Sequence, residues 1–506
     1  MEKRTLIAIV LSILVLIVYQ YLFLKPAQKR LPAKQPKPPE VVEHAKPAAP
    51  PAPVVVKPTP ATETERLIKV ETELYIATFT SKGGTVKTWQ LKKYTDNDGL
   101  KIPLLKEDGL YPALGIGWNN DFTLSEANFN VIGNDLKLDS NNKTGSIVFE
   151  YVTPQYSIRR TYTFYFDKYK FDLKDEISGL PQYEITLGGD FGIFSKKEPV
   201  HVGPVILKDT DRIELKPKKL KETRLYTGNL KWIAQEDKYF CAAIVPITPI
   251  ESAKAWKFQD SASVSFIGKP GVNEFMVYAG PKEHDRLKKL GVGLEHIVDF
   301  GFFSIIARPL FWILKKFHSV VGNYGWAIVL LTIVVRVPFI PIVNKGQRAM
   351  KRLQELQPRM QEIREKYKKD PQRMQKEMME LYRKHKVNPM GGCLPILLQI
   401  PVFFALYKVL LIAIELRGAP FMLWITDLSQ KDPYYILPIV MGITMVIQQK
   451  MTPSAGDPKQ QKLMMFMPVI FTFLFLNFAS GLVLYWLVNN LLSIAQQIYV
   501  NKKKTA

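Results

Sequence analysis

Cysteine is nearly absent from this sequence: Cys241 and Cys393 are the only two among 506 residues. That excludes a disulfide-stapled secreted scaffold and any multi-thiolate metal site. The six histidines are scattered without ligand spacing, which argues against a His-built metal centre as well. No G-x-x-x-x-G-K-S/T run occurs, so no P-loop nucleotide chemistry is implied and no cofactor is expected. Negative charge is scarce too: 46 Asp+Glu stand against 69 Lys+Arg, a formal +23. An excess of that size points to phosphate, on nucleic acid or on an anionic membrane surface. The apolar residues decide between the two. They make up 47% of the chain and are gathered into long runs.

The first run, residues 6–24, has 19 nearly uninterrupted apolar positions after Lys3 and Arg4, close to the ~20 a helix needs to cross the hydrocarbon core. The flank at 25–28 has no small-x-small cleavage pattern, so an uncleaved anchor with a cytoplasmic N-terminus is expected. Residues 25–66 are rich in Pro, Ala and Lys and read as a semi-rigid spacer. From 67 to 290 the period drops to two: Tyr162, Phe164 and Phe166 alternate with polar or smaller neighbours, and Gly83-Gly84 and 268–271 mark turns. A large antiparallel β-sandwich is predicted there, with one helical stretch at 281–290.

The last third reads as a polytopic α-helical membrane protein. Region 291–322 carries an amphipathic pattern suited to an interfacial helix, with Phe302, Ile306, Leu310 and Phe311 interrupted by Arg308, Lys315 and Lys316. Spans are expected at 326–343, 394–414, 434–449, 464–479 and 481–500, within a core at 323–500. With the anchor, that makes six transmembrane helices. Counting from a cytoplasmic N-terminus puts 25–325 and 415–433 outside, and 344–393, 450–463 and the basic tail 501–506 inside. Charge supports this independently, because 344–390 holds 14 Lys+Arg against 6 Asp+Glu. Cys241 and Cys393 then lie on opposite sides and read as packing residues.

Arg336 is hard to explain as packing. It sits in AIVLLTIVVRVPFIPIV, where a central arginine costs ~2.5–3.5 kcal/mol on insertion scales. None of the other spans holds an acid to neutralise it. A water-filled recess is the expected alternative, opening to the cytoplasm because Arg336 lies about 10 Å from the inner end of its span. Thr332, Gln399, Gln448, Asn489, Asn490, Ser493, Gln496 and Gln497 project to similar or inner depths, whereas 469–476 is almost wholly apolar. Pro338 and Pro341 add a helix irregularity beside the arginine. Lys408, the second intramembrane cation, lies near the outer end of its span and is expected to snorkel to that interface.

The inner loop at 344–390 predicts a basic helical hairpin. Its seam holds Leu353, Leu356, Met360, Ile363 and Tyr367, then Met374, Met378, Leu381 and His385. Asp370-Pro371 supplies the second helix's cap, and Pro358 should delay the first. Met360, Ile363, Met374, Met378 and Leu381 are candidate contacts for a partner, since methionine-rich seams adapt to varied surfaces. Lipid headgroups or ribosomal RNA suit the basic face. Sequence-specific nucleic-acid recognition is not implied.

These residues resemble the YidC/Oxa/Alb family of membrane protein insertases, in the form with a large periplasmic domain. The resemblance is carried by GNYGWAIVLLTIVVRVPFIP around Arg336, KVNPMGGCLPILLQIPVFFALY at 386–407, APFMLWITDLSQKDPYYILPI at 419–439 and FMPVIFTFLFLNFASGLVLYWLVNNLLSIAQQ at 466–497. It implies a non-enzymatic insertase of the bacterial inner membrane with a five-helix core. Arg336 would receive polar or acidic parts of a nascent membrane protein in a groove whose positions Thr332 and Gln399 match, with Tyr485 on the substrate-facing last helix; Asn489 and Ser493 join the candidate groove residues by their depth. The resemblance further implies a β-supersandwich similar to sugar mutarotases at 67–290. Its implied partners are nascent membrane proteins, the Sec translocon, ribosome or signal recognition machinery, and anionic lipid. Lys408 departs from the aromatic or apolar residue expected at its position. Two other readings start from the same residues: a secondary transporter binding an anion at Arg336, and a membrane-anchored periplasmic sugar-processing enzyme.

Overall fold

The computed structural model describes residues 64–502 except 97, 107–111, 120, 196–198, 251, 259–260, 386, 388–393 and 452–457. The anchor at 6–24, nearly all of the spacer, Cys393 and most of the tail lie outside the described residues. Strands run from Leu67–Glu71 to Gly271–Pro281 and form sheets of five, nine and five strands. The middle of the nine-stranded sheet shows why. In Ser157–Tyr165 every second residue, Ile158, Arg160, Tyr162 and Phe164, is buried, and Lys170–Ser178 buries Phe171, Leu173, Asp175 and Ile177 in phase with it. The antiparallel register sets Phe171 opposite Phe164 and Leu173 opposite Tyr162. Phe166 falls just past the strand and is half-buried.

Two features differ from the sequence reading. Leu67–Glu71 pairs in parallel with Leu136–Lys137, so the pairing is not wholly antiparallel. A two-residue strand has no period to recognise. The same alternation that buries rings also buries a charge pair: Arg160 and Asp175 are direct cross-strand neighbours on the inner face, both at 0% exposure. Arg160 Nε donates to Asp175 Oδ1 at 2.9 Å and Nη2 to Oδ2 at 3.2 Å. Its Nη1 donates to the carbonyls of Gly83, Gly84 and Leu114, and Tyr183 donates to Asp175 Oδ2 at 2.7 Å. Every buried polar group here is thereby matched. Cys241 is likewise fully buried, and burial pushes its thiol well above the usual range.

Ten helices follow the sheets among the described residues: α1 (His284–Lys289), α2 (Ser304–Val321), α3 (Tyr324–Arg336), α4 (Ile340–Glu355), α5 (Gln357–Lys366), α6 (Pro371–Lys384), α7 (Leu394–Ile412), α8 (Ile436–Met451), α9 (Pro458–Phe475) and α10 (Ser480–Lys502). Helix α2 buries Ala307, Leu310, Phe311 and Leu314 and leaves Ile305, Trp312 and Val320 exposed. Asn323 starts α3 by accepting from the Trp326 N–H at 3.1 Å. A 3-10 turn at Val337–Phe339, centred on Pro338, separates α3 from α4. Pro358 begins α5 and Asp370 caps α6 through the Arg373 N–H at 3.1 Å, as the prolines and the acid predict. Asp432 is fully buried and caps the start of α8, accepting from the Tyr434 and Leu437 N–H groups and from Trp424 Nε1.

Among the described residues one helix is both long and apolar enough to cross a membrane, the run Tyr324–Glu355, and shorter apolar helices occupy Gln399–Ile412, Ile436–Met451 and Met465–Phe475. Helix α10 has the length, 23 residues, but gives several positions to amides. A continuous buried cluster joins the sheets to the helices, from Ile68 through Phe311 and Leu331 to Leu487. The inner hairpin has a small core of its own.

Candidate functional site

Arg336 is the last residue of α3, just before the 3-10 turn at Val337–Phe339. Its guanidinium faces α10, on which Asn489, Ser493 and Gln496 are spaced by four and three residues and so share one face. Arg336 Nη1 donates to Asn489 Oδ1 at 2.6 Å and to the Asn489 carbonyl at 3.2 Å. Nη2 donates to Ser493 Oγ at 2.8 Å and Gln496 Oε1 at 3.2 Å. Each acceptor is itself oriented. Ser493 donates its hydroxyl hydrogen to the Asn489 carbonyl at 2.8 Å, leaving lone pairs for the arginine. Gln496 Nε2 donates to Asn344 Oδ1 at 2.7 Å, which aims its oxygen at Arg336. Gln399 of α7 donates to Asn489 Oδ1 at 3.3 Å, so α3, α7 and α10 meet at this asparagine.

All of these partners are neutral. Among the described residues no carboxylate pairs with Arg336. Thr332, Val335, Phe339, Gln399, Tyr485 and Asn489 border a recess beside it with a free volume of only about 20 Å³, space for about one water. Amide and hydroxyl groups, not a carboxylate, satisfy the guanidinium beside this recess. Thr332 is buried with its hydroxyl turned back to the Ile328 carbonyl at 2.7 Å. Tyr485 is buried in the wall. The six predicted groove residues, Arg336, Thr332, Gln399, Asn489, Ser493 and Tyr485, thus converge. Asn490 and Gln497 do not join them; they bond to Thr444 and to the Met451 carbonyl and tie α10 to α8.

Residues 67–313 match the family described as YidC periplasmic domain, and residues 316–506 match the one described as 60Kd inner membrane protein. A relative in Syntrophus aciditrophicus (strain SB), named Membrane protein insertase YidC, is 42% identical over 99% of this chain and 100% of its own. Another of that name, in Geotalea daltonii, is 40% identical over 100% of both chains. The chain belongs to the YidC family of membrane protein insertases. Its function is membrane protein insertion, and the transporter and sugar-processing readings are not favoured. A solved active YidC insertase is 20% identical over 87% of this chain and 94% of its own, with a TM-score of 0.39, too low to bear on the fold.

Within this YidC chain the hairpin seam packs partly on itself. Met360 is buried with Leu353, Leu356 and Val387, and Met378 and Leu381 pack against them, so these three hold the hairpin together. Ile363 and Met374 are half-buried, and the methionine that faces outward is Met379, 58% exposed. Lys408 does not end in open solvent: its ammonium pairs with Asp299 at 3.1 Å. Gln496, one of the polar residues expected at inner depth, completes the arginine's surroundings together with Asn344, which the sequence reading did not name.

Proposed function

We propose that Arg336 is the transient counter-ion for acidic or polar segments of nascent membrane proteins. The observation that carries this reading is the neutrality of its described partners. Four hydrogen bonds to uncharged oxygens position the guanidinium while leaving its charge uncompensated. An arriving carboxylate exchanges with those acceptors and gains ~4 kcal/mol at 4 Å and an effective dielectric of 20, before each ion loses hydration. Hydrophobic segments then leave sideways into lipid, without nucleotide and without covalent chemistry. Thr332, Gln399, Asn489, Ser493 and Tyr485 form the wall along which the segment passes.

The proposed topology has six spans, both termini in the cytoplasm, the sheets at 67–290 in the periplasm, α2 in the outer interface and the core at 323–500. Its support is the charge bias of 344–390 and the apolar faces of α8 and α9, where Ile443, Ile470 and Phe473 are exposed. The basic hairpin is placed at the cytoplasmic mouth, facing anionic lipid and the ribosome or signal recognition machinery, with the Sec translocon as a lateral partner. Purified protein in liposomes should insert a small two-helix substrate without ATP, and Arg336→Ala should insert less at equal reconstitution. Strict dependence on added ATP would remove the reading.

A further inference from the structure

Lys408 is the only charged residue in α7, and it is fastened at its tip. Its ammonium lies 3.1 Å from Asp299 Oδ2, while Oδ1 of the same carboxylate accepts from the Gly301 N–H at 2.8 Å. Gly301 has φ +72° and leaves the turn before α2 bare, so a β-carbon there would sit 3.8 Å from the Lys408 methylenes. The lysine stem therefore lies across that turn. Behind Asp299 stand further charges from the sheets: Arg212 binds Glu214 at 2.7 Å and Glu236, whose other oxygen takes Lys282 at 2.7 Å. Burial alone would raise the Asp299 carboxyl, but Lys408, the Gly301 N–H and Arg212 together hold it below its usual range. Lys216 also approaches Glu214 at 3.7 Å, so a network of opposite charges stands between the sheets and α7.

Helix α7 is divided by Pro401, which removes one intrahelical hydrogen bond. Lys408 lies on one side of it and Gln399 on the other, about 13 Å apart along the axis. On the Lys408 side, Phe404 also stacks on Phe303, with ring centres 6.3 Å apart at 14°. That end is held to the turn before α2 by an ion pair and a ring stack. On the other side, Gln399 meets α10 through a 3.3 Å hydrogen bond. Pro401 lies between these two attachments.

We infer that Lys408 is a positioning residue: with Asp299 it latches the outer end of α7 to the turn before α2. When a substrate parts the helices, α7 hinges at Pro401 and the groove opens on the cytoplasmic side alone. The inference rests on the orientation proposed above and is independent of carboxylate capture by Arg336.

The test uses the full chain in cells with a ribosome-arrested two-helix substrate. Ala405, fully buried on the outer side of Pro401, becomes the reporter as Ala405→Cys, with Cys241→Ala and Cys393→Ala, and a membrane-impermeant maleimide is added from outside. Lys408→Glu and Asp299→Lys should each raise substrate-dependent labelling about three- to fivefold, the bias a partly exposed ion pair supplies. The swapped pair, Lys408→Glu with Asp299→Lys, should return it to the parental level. Lys408→Met and Asp299→Asn, compared at equal amounts of folded protein, reproduce the rise without charge reversal and cover the case in which a reversal fails to fold. Unchanged labelling in the folded single variants, or a rise that the swap does not reverse, would overturn the latch. A Leu423→Cys control should label from outside in every variant. Its failure would overturn the orientation, and the outer sense of the latch with it.

Discussion

At the residue scale, an arginine in the apolar run 327–343 was legible because nothing else in that run is charged and no span offers an acid. Its surroundings were less legible. Asn489, Ser493 and Gln496 stood out as polar side chains in an apolar helix, but their spacing did not show which of them would bond to Arg336 or that Gln496 would also reach Asn344. The structure gives Gln496 two tasks, accepting from Arg336 at 3.2 Å and donating to Asn344 at 2.7 Å. A carboxylate at the same position would be a permanent internal counter-ion. Gln496→Glu should therefore slow insertion of acidic-tailed substrates roughly tenfold, equivalent to ~1.4 kcal/mol, while neutral-tailed substrates change much less. In an Arg336→Ala background the same substitution should add no further selectivity for tail charge. Protease protection of inserted tails, at matched folded protein, measures both effects.

At the element scale, strands and hairpin were read from simple periods. Alternation in 157–178 set which faces are buried, and Pro358 and Asp370-Pro371 marked where α5 and α6 begin. What periodicity could not show is that two of the buried positions are Arg160 and Asp175, since a charged residue counts against burial until its partner is known. Their pairing is cross-strand and completed by carbonyls from residues 83, 84 and 114, far away in sequence. Arg160→Ala would leave the Asp175 carboxylate buried without its cation, a change that costs about 3–5 kcal/mol. Thermal unfolding of the detergent-solubilised full chain, followed by limited proteolysis at 67–290, should show the strands released at lower temperature. Arg160→Met with Asp175→Leu should recover part of the loss, because removing both charges removes the uncompensated ion.

At the scale of the whole molecule, the spacer and the period change at 67 suggested a β-rich part tethered at one end. The structure shows firmer joining among the described residues. Arg417, in the segment after α7, donates to the Thr95 carbonyl at 2.8 Å and stacks over Tyr239 and Phe240, and the buried apolar cluster continues from the sheets into the helices. Such contacts between distant segments leave no local sequence signal. Orientation rests on charge, and it predicts a simple labelling pattern. In intact cells, Leu423→Cys, at a position 79% exposed, should react with an impermeant thiol reagent, whereas Met379→Cys, at a position 58% exposed, should react only after the membrane is opened.

The most direct test of charge capture at Arg336 is protease protection of inserted tails across a substrate series that differs only in tail charge. We expect Arg336→Ala to impair acidic tails far more than neutral ones, Arg336→Lys to retain most activity, and Arg336→Glu to be worst for the acidic tails. Equal loss for every tail, at matched levels of folded protein, would contradict charge capture and leave Arg336 as a packing residue of the α3, α7 and α10 junction.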